Sequence, residues 1–303
     1  MIKNLDDIKK KFGKKIITNV SLAKYSWFNL GGPAELLFKP ENIIDIQEFF
    51  KITHKNLYPL TIMGAGSNTL IRDAGVGGIT IKLSPKFSYV NKLSENKIEV
   101  GAATLDKTVS NFASDNGLSG FEFLSCIPGT IGGAIRMNSG CYNQEISQIL
   151  KKVNIINLKG ELKEIKKEDI KFFYRGCSLN ENFLILSAEF EGIIKSIDLV
   201  KKKQEEFINR KKLSQPNQIK TCGSTFKNPN GHYAWKLIKD CGCTDITVGG
   251  AKISPKHNNF FLNDGNATSS DIEKLIDEVK KKVLEKKGIN LELEIKIIGK
   301  KNN

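Results

Sequence analysis

The sequence predicts an α+β fold in two parts, and three observations carry that expectation. Before residue 196, runs with strand alternation surround isolated helical ones, whereas a doubly wound sheet requires strand and helix in regular succession. A long charged helix at 196–213 is closed by Pro216 and marks a joint. Two glycine-rich stretches, Gly64-Ala65-Gly66-Ser67-Asn68 and Cys126 to Gly140, both fall before that joint. The expected division is 1–195, itself split near residue 83, then a connecting helix and linker at 196–216, then a smaller α+β part at 217–303.

In chain order, residues 1–20 read as a short amphipathic helix, with Ile8 and Phe12 four apart, and an extended lead-in. The run Tyr25-Ser26-Trp27-Phe28-Asn29-Leu30 ends in a glycine pair and serves equally as an aromatic core corner or as the border of a ring-shaped ligand. Residues 34–38 alternate as a strand. Pro40 opens a helix through His54 on the stripe Ile43, Ile46, Phe49 and Phe50, and a strand at 59–63 completes a βαβ unit. Strands follow at 78–83 and 97–101, then a helix at 104–115 with Leu105, Val109 and Phe112 on one side. Three more strands are expected at 152–157, 162–166 and 183–190. The joint helix has Ile197, Val200, Phe207 and Ile208 as a thin apolar side. Beyond it come a helix at 233–240, mixed strands and a capping box at Ser270-Asp271-Ile272-Glu273. The helix opened by that box turns Ile272, Leu275, Ile276, Val279 and Val283 inward until Gly288, and 291–298 is the last strand.

At 303 residues and 40% hydrophobic content the chain has material for two cores. No apolar run approaches the roughly 20 residues of a membrane span, and the N-terminus lacks a signal peptide's apolar stretch. A cytoplasmic protein without membrane contact is expected. The six cysteines are scattered, and Cys241-Gly242-Cys243 has no second ligand pair, so no metal is expected and all six read as reduced thiols. A net charge of +14 raises nucleic acid as a partner. However, the lysines alternate with acids, as in Lys201-Lys202-Lys203-Gln204-Glu205-Glu206, which describes solvated helix faces and argues against such a partner. Among 47 basic residues arginine stands only at Arg72, Arg136, Arg175 and Arg210, so each is a candidate for a place that needs a planar, permanently charged fork.

Three glycines and a proline in Ile127-Pro128-Gly129-Thr130-Ile131-Gly132-Gly133-Ala134 let the backbone lie against a ligand. Gly64-Ala65-Gly66-Ser67-Asn68 leaves the apolar run at 60–63, so it reads as the turn after a buried strand. Two loops rich in N–H groups suit one large ligand with several polar segments, and a dinucleotide has that size and charge. The Rossmann pattern fails, because Thr69 stands at the third glycine position and no helix opens there.

Further along, Phe173-Tyr174-Arg175-Gly176-Cys177-Ser178 holds one of the four arginines, as a surface residue or a functional one. Gly223-Ser224-Thr225-Phe226-Lys227-Asn228-Pro229 mixes small, hydroxyl, cationic and amide groups around one phenylalanine, which suits a polar pocket wall. Glu292 and Glu294 share one face of the last strand by period two, as a solvent-facing row or as something more.

Together, Gly64 to Asn68, the run Ile127 to Ala134 and Arg136-Met137-Asn138-Ser139-Gly140 resemble the bacterial UDP-N-acetylenolpyruvoylglucosamine reductases, flavoenzymes of peptidoglycan synthesis. The likeness runs over nearly the whole chain, including Gly249-Gly250-Ala251 and Asn263 to Thr268, and lacks the insertion that carries a substrate-binding tyrosine in one subclass. It implies a two-part FAD-binding domain of the vanillyl-alcohol-oxidase type followed by a smaller α+β substrate-binding domain. It implies non-covalent FAD held by Gly64, Ala65, Gly66, Ser67, Asn68, Ile127, Pro128, Gly129, Thr130, Gly132, Gly133 and Ala134. The catalytic residues it implies are Arg175, Ser224 and Glu294, with Tyr174, Lys227 and Asn228 contacting substrate. NADPH would be co-substrate, UDP-N-acetylglucosamine enolpyruvate the small-molecule partner, and the protein a monomer. Cys177 stands at the serine of the usual Tyr-Arg-x-Ser, and Cys126 and Cys222 stand where small residues are usual. The competing class is an FAD-dependent oxidase of an alcohol or sugar on the same scaffold. Such enzymes often tether the flavin through His or Cys, and His54, His232 and His257 all lie outside the glycine motifs.

Overall fold

A computed structural model describes residues 2, 5–53, 58–216 and 219–301. The expected helix end at His54, the expected start of the last part at 217 and the terminal residues 1 and 303 lie outside them. The chain forms two compact units, one of residues 1–18, 36–65 and 78–211, the other of 19–35, 66–77 and 212–303. These units do not follow the contiguous ranges read from the sequence. Two early segments belong with the C-terminal residues because long-range bonds hold them there: Asn263 Nδ2 donates to the Phe28 carbonyl at 2.9 Å, and the Arg72 guanidinium grips the Glu273 carboxylate at 2.8 and 2.9 Å. The joint helix, Ile197–Ser214, falls largely in the first unit.

The first unit holds a five-stranded antiparallel sheet in the order Leu162–Lys166, Leu150–Ile156, Leu184–Glu191, Lys97–Gly101, Val90–Lys92. Its central strand, Leu184–Glu191, is buried at most positions, and its residues Ile185, Ala188 and Phe190 join Val109, Ile131, Ile135 and Ile146 in one core. A second core gathers Ile8 and Phe12 of the helix Leu5–Phe12, Phe38 of the strand Pro33–Phe38, and Ile46, Phe49 and Phe50 of the helix Ile43–Thr53. Phe38 and Phe49 stack at 4.0 Å with Phe12 edge-on to both, a geometry favoured by the ring quadrupoles. The strand Leu60–Ile62 pairs in parallel with Val76–Ile81, which stands between it and Pro33–Phe38, so the expected βαβ unit takes in a third strand.

Two helical faces differ from expectation. Leu105 is the N-cap of the helix Asp106–Asp115 and 52% exposed, because the chain is still extended there. On Ile197–Ser214, Ile197 is exposed while Val200 and Gln204 are buried. Gln204 goes inward because its amide is satisfied, donating to Ser110 Oγ at 2.9 Å and accepting from Ser114 Oγ at 3.0 Å.

The second unit packs the helices Ala234–Asp240 and Ser269–Lys287 on a three-stranded antiparallel sheet, Thr247–Val248, Ala251–Ile253 and Phe261–Asn263. Ile272, Leu275, Ile276, Val279 and Val283 face its core as expected, and Gly288 stops the helix at φ +67°. The capping box is Thr268 with Asp271, two residues before the expected one, since Glu273 is engaged by Arg72. The last strand is shorter than expected, Lys296–Ile298, and pairs in parallel with Thr69–Ile71. Residues 291–295 run beside 223–227 instead, bridged at Phe226 and Leu293.

Candidate active site

Within the first unit Gly64, which opens the first glycine stretch, meets the second: a Cβ on it would stand 2.5 Å from Thr130 Oγ1, so a side chain there would displace Thr130. Lys82 Nζ, half-buried, donates to the Gly64 carbonyl, and burial followed by the Lys39 charge lowers its affinity for a proton. The second stretch is laced to the residues around the helix Asp106–Asp115. Asp106 N–H donates to the Gly129 carbonyl at 3.1 Å, Ile131 N–H to Thr104 at 3.0 Å, and Gly132 N–H to Ala102 at 3.0 Å. Gly132 backs onto Ala102, where a Cβ would come to 3.3 Å, whereas a Cβ on Gly133 would meet only Thr130 Oγ1 at 3.7 Å. One glycine thus permits close packing and the next leaves a face open. Ile127 is half-buried against the core and Ala134 lies within it, with its N–H given to the Thr130 carbonyl at 2.9 Å.

Arg175, also in the first unit, has φ +58°, in the left-handed region that non-glycine residues seldom occupy. Its guanidinium lies 4.9 Å over the half-exposed ring of Tyr174, and Nη2 donates to the Gly140 carbonyl at 2.9 Å. Asn138, Tyr142 and Asn143 share this backbone region, at φ +41°, +53° and +62°. Asn138, almost wholly buried, donates through Nδ2 to the Phe173 carbonyl at 3.3 Å and accepts from Ser147 N–H at 3.0 Å. That clamp just before Tyr174 was not read from the sequence, although Asn138 stood within a quoted motif. Cys177, in the serine position, is half-buried, and burial pushes its thiol up.

In the second unit the Ser224 segment lies outside the strands and is held on both sides by single bridges and backbone bonds. Ser224 bridges Phe260, and Thr225 N–H donates to the Asn259 carbonyl at 2.7 Å. The Asn259 side chain both accepts from and donates to the backbone of Phe226, at 2.9 and 2.8 Å. On the other side Lys227 N–H donates to Glu292 at 2.8 Å and Glu294 N–H to Thr225 at 2.9 Å. Glu294 is thus bonded to Thr225, the chain neighbour of Ser224, and Ser224 and Glu294 are both half-buried while Glu292 is exposed. The two glutamates are not equivalent, although period two placed them in one row. Glu292 lies 3.6 Å from Lys227 Nζ. Asn68 joins these bonds, its Nδ2 donating to the Glu294 carbonyl and its own carbonyl accepting from Lys296 N–H, at 3.0 and 2.9 Å. Gly66, at φ +69°, would set a Cβ 1.8 Å from the Tyr25 carbonyl, and Ser67 is half-buried beside it. Asn228 Oδ1 accepts from Ala234 N–H at 3.0 Å and so starts a helix. Cys222 donates to the Gly66 and Thr69 carbonyls at 3.5 and 3.4 Å, and burial pushes its thiol up to about 11. Among the described residues no His, Cys, Asp or Glu cluster could hold a metal, and no helix is long and apolar enough to cross a membrane.

Residues 34–166 match the family described as FAD binding domain, so the glycine cradle belongs to an FAD-dependent oxidoreductase. The cradle fits that cofactor, with an open glycine face at Gly133 and the half-buried Lys82 ammonium bonded to the carbonyl of Gly64. Residues 215–298 match the C-terminal domain of UDP-N-acetylenolpyruvoylglucosamine reductase. The reductase of that name from Wolbachia sp. subsp. Drosophila simulans (strain wRi) is 42% identical, covering 93% of this chain and 95% of its own. The one from Pelagibacter ubique (strain HTCC1062) is 42% identical over 97% and 99%. The crystal structure of the Thermus caldophilus enzyme superposes with a TM-score of 0.80 at 30% identity, covering 92% of this chain and 98% of that one. The chain belongs to the UDP-N-acetylenolpyruvoylglucosamine reductase family, with the two-part FAD-binding fold and C-terminal domain expected of it.

Proposed function

We propose that this chain reduces UDP-N-acetylglucosamine enolpyruvate to UDP-N-acetylmuramate with NADPH, as a cytoplasmic monomer holding FAD non-covalently. The observation that carries the catalytic reading is the backbone bond from Glu294 to Thr225, next to Ser224, in a segment braced by Asn68 and Asn259. The stretches at 64–68 and 127–134 would hold FAD, which would supply the two-electron chemistry between NADPH and the terminal carbon of the enolpyruvyl ether. Negative charge then spreads over the α-carbon and carboxylate of the substrate. Arg175 answers it with a planar two-donor contact, for which the ring of Tyr174 and the Gly140 carbonyl hold the guanidinium in orientation. Glu294, if held protonated, donates a hydrogen bond to the same region. Ser224 gives its proton to the α-carbon.

Cys222 is the nearby alternative acid. It is a poor one, since its S–H is engaged by the Gly66 and Thr69 carbonyls. Lys227 contacts the substrate with a charge it shares with Glu292. Asn228 contributes only its amide N–H groups, because its oxygen starts a helix. Steady-state NADPH oxidation with and without the enolpyruvyl UDP-sugar tests the reading, and oxidation that depends on the sugar is expected. Dioxygen uptake with a simple alcohol or sugar and no NADPH would move the chain to the oxidase class.

A further inference from the structure

Two short hairpins of the first unit meet at Arg175. In one, Phe172–Phe173 pairs with Gly176–Cys177, so Tyr174 and Arg175 alone make the turn, and Arg175 takes the positive φ that glycine or asparagine usually supplies there. In the other, Gly140–Cys141 pairs with Gln144–Glu145 around Tyr142 and Asn143, both at positive φ as a tight two-residue turn of this kind requires. Arg175 Nη2 reaches from the first hairpin to the Gly140 carbonyl of the second at 2.9 Å. Hairpins with two residues in each strand are marginal by themselves. Something outside them must fix the direction in which they present the guanidinium.

We infer that Asn138 is the positioning residue for Arg175, because its single amide holds both hairpins. The inference rests on the role proposed for Arg175 at the substrate carboxylate. Asn138 Nδ2 donates to the Phe173 carbonyl at 3.3 Å, on the last strand residue before the turn of Tyr174 and Arg175. Its Oδ1 accepts from Ser147 N–H at 3.0 Å and so closes the loop 138–147 that contains the second hairpin. One end of the amide thus ties the root of the donor in the bond between Arg175 and Gly140, and the other end ties the root of the acceptor. The partners also fix which way the amide points, since an N–H can only donate and a carbonyl can only accept. Asn138 is 1% exposed and sits at φ +41°, a backbone that asparagine adopts more readily than most residues with a side chain. A buried amide satisfied at both ends specifies one arrangement of the segments it joins.

Asn138 has no part in the hydride or proton transfers proposed above and acts only through Arg175. A planar fork serves a carboxylate only when both donors arrive together, and displacing a group by about 1 Å can cost roughly 10²-fold in rate. Without the clamp, Arg175 keeps its charge and loses its fixed direction. The loss falls on the step in which the enolpyruvyl sugar reoxidises the flavin, since reduction by NADPH makes no call on Arg175.

Asn138→Asp in the FAD-loaded full chain tests this, because it keeps the shape and the acceptor for Ser147 and reverses only the group that faces the Phe173 carbonyl. Flavin content and reduction by NADPH should stay near those of the unmutated protein, while stopped-flow reoxidation by the enolpyruvyl UDP-sugar should slow by roughly 10–10²-fold. Asn138→Gly keeps the positive φ and adds no charge; it should slow the same step, and it carries the test if the aspartate variant fails to fold. Added to Arg175→Lys, Asn138→Asp should cost no more than about twofold further, since both changes spoil one contact. Equal slowing of both half-reactions, losses that multiply in the double variant, or normal reoxidation in Asn138→Asp while Arg175→Lys is slow would each reduce Asn138 to a residue that closes a loop. Normal turnover in Arg175→Lys is a separate failure, which removes the role of Arg175 and the inference with it.

Discussion

In the first unit, Gly64 leaves no space for a Cβ against Thr130 and Gly133 leaves a face of backbone bare. In the second unit, Ser224 stands on an extended segment that is bridged on both sides. One region makes room for a ligand by omitting side chains, the other by fixing the side chains it keeps. The two should fail differently. A substitution that adds atoms is the damaging kind in the cradle, where cofactor retention reports it. Around Ser224 the damaging kind removes a functional group, and turnover reports it while the flavin stays bound.

The largest effect is expected from Gly64→Val. Its side chain would force the first loop off Thr130, and the purified protein should lose its flavin absorbance altogether. Full yellow occupancy in that variant would show that the loops need not touch. Ser224→Ala should do the reverse. NADPH should reduce the flavin at close to the normal rate, since that half-reaction needs no proton at the substrate carbon. Reoxidation by the enolpyruvyl sugar should slow by roughly 10²–10⁴. Stopped-flow absorbance with the two substrates added in turn separates the halves, and equal slowing of both, or of neither, removes Ser224 from the role of acid. Arg175→Lys keeps the charge but loses the fork, and turnover should fall by roughly 10²–10³, the usual worth of one donor to a developing anion. Near-normal turnover would reduce Arg175 to the surface residue its partial exposure also allows.

The same contrast explains what could be read in advance. A glycine that must be glycine is visible in the sequence, so the two glycine stretches were legible as stretches and no Rossmann helix was expected there. The arginines were legible too, because scarcity among lysines points to geometry. Arg72 takes a two-oxygen grip on Glu273 and a third bond to the Gly299 carbonyl at 3.0 Å. Arg136 reaches the carbonyls of Leu179, Asn180 and Phe183, and Arg210 lies 4.5 Å over the Tyr142 ring. The partners were not legible. Period two put Glu292 and Glu294 in one row, but it could not say that the segment facing them would leave one exposed and the other half-buried. Hydrophobic periodicity chose Ile197 over Gln204, because the serines that satisfy the amide lie about ninety residues earlier in the chain.

The smallest expected effect is also the one that tests a corrected reading. Two overlapping patterns compete to open the long helix of the second unit, Thr268-x-x-Asp271 and Ser270-x-x-Glu273, and the second has the glutamate usual at the third helical position. The structure selects the first. Thr268 Oγ1 accepts from Asp271 N–H at 3.1 Å, and Asp271 Oδ2 accepts from Thr268 N–H at 2.9 Å, while Glu273 is drawn away by Arg72. Thr268→Ala should therefore destabilise the protein by about 1 kcal/mol, measured by denaturant melts, with flavin content and turnover unchanged. The Asp271 partner adds a pH signature. The backbone bond to Thr268 is the main reason its carboxyl is held below the ordinary value. A carboxyl depressed in the folded state contributes stability above its unfolded value and loses it as pH falls through the folded one. The difference between Asp271→Ala and the unmutated protein should accordingly be full at neutral pH and shrink below the ordinary carboxylate range, whereas Thr268→Ala keeps the backbone N–H and most of that dependence. If Ser270→Ala costs more than Thr268→Ala, the helix begins where the sequence pattern first placed it, and the long reach of Arg72 is not what sets its start.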